Sequence, residues 1–529
     1  MKLHNYQQRM IDFCKTTNHI IFSVGMGLGK TAAVLHHINE IAPDSVLIVA
    51  PKRVAETVWL QEAEKWNLKE VAEKMIIVSG TAAKRKKAIS DKSKPYKIIS
   101  RDNLKDVDLS VNYDILILDE LTSFKSILSK RSEAVRAISA KKKIGLTGTL
   151  LANGAIDIFP QAAAVGLENV RISISRNGKY KWCNEFNAWR DRHFIDVMKG
   201  SGLQFSKYKL ISRLEDVIAK YRNNIFTLDA ADWLEIPEVK FIKHEIELKE
   251  EQMSEYLQLE TTLAAKIGDD YFALDNDKSA FMKLQTLCCG FVYDSEHRAI
   301  RSKEATKLEE VARFCERAAA ENEQVLLFYA FKEEAYWLAE MLKDRGLRFC
   351  SVSDKKFLQK WNDGDIDVLF AHPASAGHGL NLQSGGRLIA WSSVTYNYEF
   401  WAQANARLAR QGQRRGVEVH TFATKDTCES RIYKAIREKE KGNNDFINLT
   451  KRNMKENINK VREQCAIHGV VCCAECKEQE LIEEMQREQY LHDLQWQREQ
   501  YLHDLQWQEN MNSLYTWDEG GFCDGFTKC

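Results

Sequence analysis

A chain of 529 residues exceeds what one ordinary hydrophobic core supports and predicts two or three domains with appendages. Hydrophobic residues at 44% and charged residues at 29% give a globular balance, and no apolar run reaches bilayer-spanning length, so a membrane-embedded function is excluded. A formal charge of +1 leaves nucleic-acid binding open, while thirteen scattered cysteines argue against a disulfide framework and for a reducing cytoplasm. Met1–Asp12 has neither the charged start nor the apolar stretch of a secretory signal.

Residues 1–165 alternate short apolar runs with amphipathic stretches. Ile20–Val24, Val46–Ala50, Ile76–Val78, Lys97–Ser100, Ile115–Leu118 and Ile144–Thr147 read as buried strands, with Thr31–Ile41 and Val54–Trp66 as helices between them. That alternation predicts an α/β fold with a parallel sheet flanked by helices. Directly after the first strand comes Ser23-Val-Gly-Met-Gly-Leu-Gly-Lys30-Thr31. Glycines at 25, 27 and 29 let backbone N–H groups approach phosphates where side chains would clash. The helix that follows adds its positive dipole end. Lys30 is expected on the β- and γ-phosphates of ATP and Thr31 on Mg²⁺. Val24 stands where the strict phosphate-loop pattern has its first glycine, so the strand–loop–helix context carries the assignment.

The strand Ile115–Leu118 ends in Asp119-Glu120. A carboxylate delivered there can hold a Mg²⁺ water shell, and its neighbour can orient and deprotonate an attacking water. A solvated strand end is the plainer alternative, and the upstream phosphate loop weighs against it. Gly145-Leu-Thr147-Gly148-Thr149 follows a further strand and is expected to bring hydroxyls near the two carboxylates.

Residues 166–300 read as mainly helical, with Trp182, Phe186 and Trp189, and again Met253, Tyr256 and Leu257, at helical spacing. Packed core faces explain both stripes better than base stacking does. A second alternating block runs over residues 301–440. Its strand candidates are Val325–Tyr329, Asp367–Ala371, Leu388–Trp391 and Val417–Phe422. It carries Gly377-His-Gly379-Leu-Asn381 and then Gln403-Ala-Asn-Ala-Arg407-Leu-Ala-Arg410-Gln-Gly-Gln413. Arg407 and Arg410, three apart, are expected on one helical face. An arginine supplied across a cleft can raise a phosphoryl-transfer rate by roughly 10³–10⁵.

Residues 441–529 differ in character. Cys465, His468, Cys472 and Cys476 form a candidate zinc set, with reduced thiols as the alternative because the loop between the two pairs is shorter than in zinc ribbons. The segment Arg487–Gln497 is repeated as Arg498–Gln508, a spacing that keeps near register on a helix. It reads as a duplicated surface helix or a docking surface for a partner whose nature the repeat does not specify. The basic runs at 84–87 and 141–143 read as solvated faces.

Taken in order, these segments resemble the Swi/Snf-type ATPases of helicase superfamily two, closest to their compact phage-encoded DEAD/DEAH-like relatives. The likeness runs from Tyr6-Gln7-Gln8 through Met26–Thr31, Ala50–Glu56 with Trp66, Leu118–Lys125 and Leu146–Thr149, then through Gly377–Leu382 and Gln403–Gln413. The resemblance implies two RecA-like lobes with a helical insertion. It puts Gln7 on the adenine and Gly27, Gly29, Lys30 and Thr31 on phosphates and Mg²⁺. Asp119 and Glu120 become the metal and water residues, with Arg407 and Arg410 completing the site from the second lobe. Pro51, Lys52, Arg53, Ser100 and Asn381 fall in segments that track the nucleic-acid backbone in such relatives. Thr147, Gly148 and Thr149, with Gly377, Gly379 and Gln403, fall in the segments that link ATP state to DNA grip. Where remodellers carry a histidine after Asp-Glu-Ala, this chain has Leu121-Thr122, so that part of the family's wiring does not carry over.

The leading expectation is a cytoplasmic, duplex-DNA translocase driven by ATP. A strand-separating DNA or RNA helicase is the first alternative, and it predicts unwinding. A non-hydrolysing nucleic-acid scaffold is the second, and it should have lost Lys30, Glu120 or an arginine, all of which are present.

Overall fold

The six apolar runs of the first block all form strands, since β-branched and aliphatic residues buried on both faces suit a helix-covered parallel sheet. They are β1 (His19–Val24), β2 (Val46–Ala50), β3 (Met75–Val78), β4 (Tyr96–Ser100), β5 (Tyr113–Asp119) and β6 (Ala140–Thr147). The computed structural model describes residues 2–175, 180–197, 208–229, 232–233, 237–267, 278–294, 296, 298–376 and 382–467. Two units emerge, Met1–Asn453 and Met454–Cys529, and both large sheets lie in the first.

Helices α1 (Asn5–Thr16), α2 (Lys30–Ile41) and α3 (Lys52–Lys65) belong to the first lobe. Residues 166–300 are less helical than expected. The hairpins β7 (Ile172–Ile174) with β8 (Lys181–Cys183) and β9 (Phe194–Asp196) with β10 (Tyr208–Leu210) lie there. So do β11 (Ile225–Leu228) and β12 (Val239–Ile246), which join the two large sheets. Short apolar runs of this kind cannot be told from buried helix by periodicity. Trp182 accordingly lies on β8, while Phe186 and Trp189 sit on the helix Asn184–His193 and pack on Phe159. The helical stripe holds in part at Glu250–Ile267, where Tyr256 is buried and Leu257 faces out.

The first sheet has the order β11-β1-β6-β5-β2-β4-β3, parallel throughout. The second contains β15 (Val325–Phe328), β16 (Phe349–Ser351), β17 (Val368–Ala371), β18 (Leu388–Trp391) and β19 (Val417–Thr424), with the small hairpin β13 (Phe291–Tyr293) and β14 (Ala299–Arg301) preceding them. Its order is β12-β19-β18-β15-β17-β16, again all parallel. Two α/β lobes result, each built on a parallel sheet. The second lobe's core stacks Phe328, Trp391 and Trp401, with ring centroids 4.6 and 4.7 Å apart.

The long helix Cys428–Ile467 serves both lobes. Ile432 and Ile436 are buried in the second lobe's core, whereas Phe446 is fully buried among Leu118, Val217 and Tyr221 of the first. The lysine run 141–143 is no free solvated face either. Lys142 donates to the carbonyls of Cys14 and Thr17 at the carboxyl end of α1, and Lys143 is buried. That places a cation at the negative end of a helix. Among the described residues no helix is long and apolar enough to cross a membrane. His468, Cys472, Cys476, the Cys465 side chain and the tandem repeat lie outside the described residues, as do Gly377, Gly379 and Asn381.

Candidate active site

Sheet order decides which side chains meet. β1, β6 and β5 are neighbours, with Ser23 opposite Thr147 and Leu146 opposite Asp119, so three strand ends open side by side. Ligands of open α/β sheets bind at such carboxyl ends. The glycine loop leaves β1 there and enters α2 through Gly29, whose φ of +66° is left-handed. A Cβ at Gly29 would stand 2.3 Å from Gln7 Nε2, so the buried Gln7 on α1 lies directly against the loop. The Gln7 side chain is held by the His4 N–H, which donates to Oε1 at 2.9 Å. Lys30 Nζ donates to the carbonyls of Val24 and Gly25 at 2.7 and 3.2 Å, and Thr31 lies in the first turn of α2. Burial pushes the Lys30 ammonium below its ordinary pKa, against the pull of the Glu120 and Asp119 charges.

Asp119 ends β5 with both oxygens engaged. Its Oδ2 accepts from Trp59 Nε1 at 2.9 Å, and its Oδ1 accepts from the Glu120 N–H at 3.1 Å. Burial nevertheless raises the Asp119 carboxyl above its usual range. Glu120 has a left-handed backbone, φ 55° and ψ 67°, unusual for a non-glycine residue and costly by about 1–3 kcal/mol. Burial first, then the Glu399 and Asp119 charges, lift its carboxyl to about 8. At the end of β6 the Thr147 hydroxyl accepts from the Thr149 N–H at 3.0 Å, both residues being buried. A Cβ on Gly148 would lie 3.4 Å from Met26 of the glycine loop, so the two loops touch.

The second lobe brings in Gln403 and the arginines. The helix Tyr398–Asn405 stops before them, so Arg407 and Arg410 sit on the turn beyond rather than on a shared helical face. Asn405, at the end of that helix, accepts on its Oδ1 from Trp391 Nε1 at 2.9 Å. Gln413 anchors the far side of the turn, donating to the carbonyls of Gln383 and Gly386. Arg407 is buried, and burial with Arg410 lowers it to about 10 while Glu120 acts the other way. The guanidinium from one lobe therefore feels the carboxylate of the other. Arg53 opposes it from the start of α3, where Pro51 is the N-cap and Lys52 and Arg53 are exposed. Ser100 caps the turn after β4, accepting from the Asp102 N–H at 3.3 Å.

Three participants escaped the sequence reading. Trp59 is one, hidden within the apolar stripe of α3 beside Val54, Ala55 and Ala63. The others are Thr122 and Glu399, which join the lobes through a buried hydrogen bond of 2.8 Å. A loop that admits phosphate, an ammonium, two carboxylates on one sheet and an arginine from the other can bind a polyphosphate and hydrolyse it.

The SNF2-related domain matches residues 6–290. The chain is 28% identical over 447 residues to protein p41 of the Acyrthosiphon pisum secondary endosymbiont phage 1, covering 80% of this chain and 93% of that protein. It is 21% identical over 483 residues to the ISWI chromatin-remodeling complex ATPase ISW1 of Saccharomyces cerevisiae, covering 84% of this chain and only 40% of the yeast protein. Among solved structures, the SWI2/SNF2 ATPase core of Sulfolobus solfataricus in complex with double-stranded DNA shares 20% identity, with a TM-score of 0.38, over 82% of this chain and 90% of that one.

Proposed function

The chain belongs to the SNF2-related domain family, and from that premise we propose that it is an ATP-hydrolysing motor that moves along double-stranded DNA. The observation that carries this reading is the buried hydrogen bond of 2.8 Å that ties Thr122, on the turn after Glu120 in the first lobe, to Glu399, on the helix that leads into Arg407 in the second. A site split between two bodies makes hydrolysis depend on their closure, which is what a motor requires.

In this reading Gln7 takes the adenine, and Gly27, Gly29 and Lys30 take the phosphates. Thr31 and Asp119 are hard oxygen donors beside the loop, a set that fits Mg²⁺. When bound, the ion neutralises charge on the β- and γ-phosphates. Glu120, on the turn beside Asp119, accepts the proton of the attacking water. Arg407 and Arg410 take up the charge that develops on the transferred phosphoryl group. Trp59 holds Asp119 in place through its indole N–H. Thr147, Gly148 and Thr149, with Gln403, Gly377 and Gly379, link the nucleotide to the DNA path. Pro51, Lys52, Arg53, Ser100 and Asn381 supply the phosphate contacts along that path. Seven described cysteines carry no disulfide, which suits a cytoplasmic setting.

ATP turnover measured in parallel with duplex DNA, single-stranded DNA and RNA tests the proposal. Duplex is expected to stimulate at least as well as single strands. Stimulation by RNA or single strands alone would replace the translocase with a strand-separating helicase.

A further inference from the structure

The turn that follows Glu120 is gripped from the opposite lobe. Thr122 Oγ1 donates to Glu399 Oε1 at 2.8 Å, and Lys125 Nζ lies 3.8 Å from Glu399 Oε2. Both oxygens of one carboxylate are thus taken by one short segment, Leu121–Phe124 and the lysine that ends it. Thr122 is buried to 1% exposure and Glu399 to 9%. Arg101 donates to Ser123 of the same turn, which fixes it from the first lobe's side. Glu399 sits in the first turn of the helix Tyr398–Asn405, its own N–H capped by Asn397. One helical turn later that element carries Gln403, and Arg407 follows beyond its end.

We propose that Glu399 is a positioning residue for ATP hydrolysis: held by Thr122 and Lys125, it docks the second-lobe helix that leads into Arg407 onto the turn that begins at Glu120. The inference rests on the ATPase reading above and goes beyond it by naming how lobe closure reaches the water-activating carboxylate. The contact spans the two lobes, so it must break when they part. With it made, Glu120 and Arg407 are set from a common point. With it broken, the left-handed Glu120 turn has lost its partner on the far side of the cleft. A contact serving stability alone would gain more from a well-packed apolar pair, because burying a carboxylate near Glu120 is costly. The same position is where Leu121-Thr122 departs from the histidine-bearing pattern.

The test uses the full chain with Thr122→Val, Glu399→Met, their combination and Thr122→Ser, assayed with saturating duplex DNA. Each of the first two should lower kcat at least about tenfold, with the KM for ATP changed less than about twofold. The combination should be no worse than the larger single loss, since both remove one interaction. Thr122→Ser keeps the hydroxyl and should retain most of the turnover. Unchanged kcat, multiplying losses, or a lowered melting temperature with turnover intact would overturn the proposal. Small-angle scattering supplies a readout independent of catalysis, because the valine and methionine variants should give wider particles than wild type. A wild-type protein without turnover would sink the ATPase reading, and identical scattering profiles would then sink the docking role as well.

Discussion

Glu120 combines a left-handed backbone with burial and two acidic neighbours, Glu399 and Asp119. Glu120→Gln keeps the shape and removes the base, so it should bind ATP normally and lose turnover by at least about a hundredfold. Lys30→Ala should instead abolish nucleotide binding, measured with a fluorescent ATP analogue, because the phosphates lose their nearest cation. Near-wild-type turnover in the glutamine variant would remove Glu120 as the base. Gly29→Ala meets two penalties at once, a φ of +66° and a Cβ 2.3 Å from Gln7 Nε2. It should raise the KM for ATP about tenfold or more, since a strained loop costs about 1–3 kcal/mol. An alanine variant with unchanged KM would mean that Gln7 does not abut the phosphate loop. Legibility at this scale follows sequence separation. Lys30, Asp119 and Glu120 stand in short local patterns that one strand or one loop explains. Trp59 reaches Asp119 across 60 residues and Thr122 reaches Glu399 across 277, and no local pattern encodes either contact.

At the level of elements, the first sheet was legible because its six early strands carry short apolar runs, several of them beside a glycine or proline such as Gly25, Pro51 and Gly80. β11, β12 and β16 were not, being short or, in β12, alternating charged with apolar residues as edge strands do. The arginine segment was read as helix because its spacing allows one, whereas the helix ends at Asn405 and a turn carries the arginines, an end that spacing cannot show. The long helix Cys428–Ile467 gave no sign that its middle returns to the first lobe. Phe446 is wholly buried there, so Phe446→Ala should cost about 3–5 kcal/mol of stability and lower the denaturation midpoint. Truncation after Asn453 keeps this anchor and should preserve basal turnover, whereas truncation after Lys441 removes it and should destabilise the first lobe. Equal melting temperatures for the two truncations would show that Phe446 does not hold the helix to that core.

For the whole molecule, the net charge of +1 places no general cationic field around the chain, so any grip on DNA comes from local groups. The groups proposed for the path, Lys52, Arg53, Ser100 and Asn381, are cations, a hydroxyl and an amide. Such groups suit phosphate oxygens more than base edges, so binding should be weakly sequence-specific. Each phosphate neutralised releases counterions, so affinity should fall steeply with salt, by a log–log slope of about −0.9 per contact on duplex DNA. Lys52→Ala and Arg53→Ala should each flatten that slope by about one unit without changing sequence preference. Movement itself is read by displacement of a triplex-forming strand from a duplex during turnover. Wild type should displace it only with ATP, and Glu120→Gln should not displace it at all. A duplex translocase need not part the strands, so a forked duplex should survive the same conditions. Efficient unwinding of that fork without triplex displacement would show that the two lobes drive strand separation instead of travel along intact duplex.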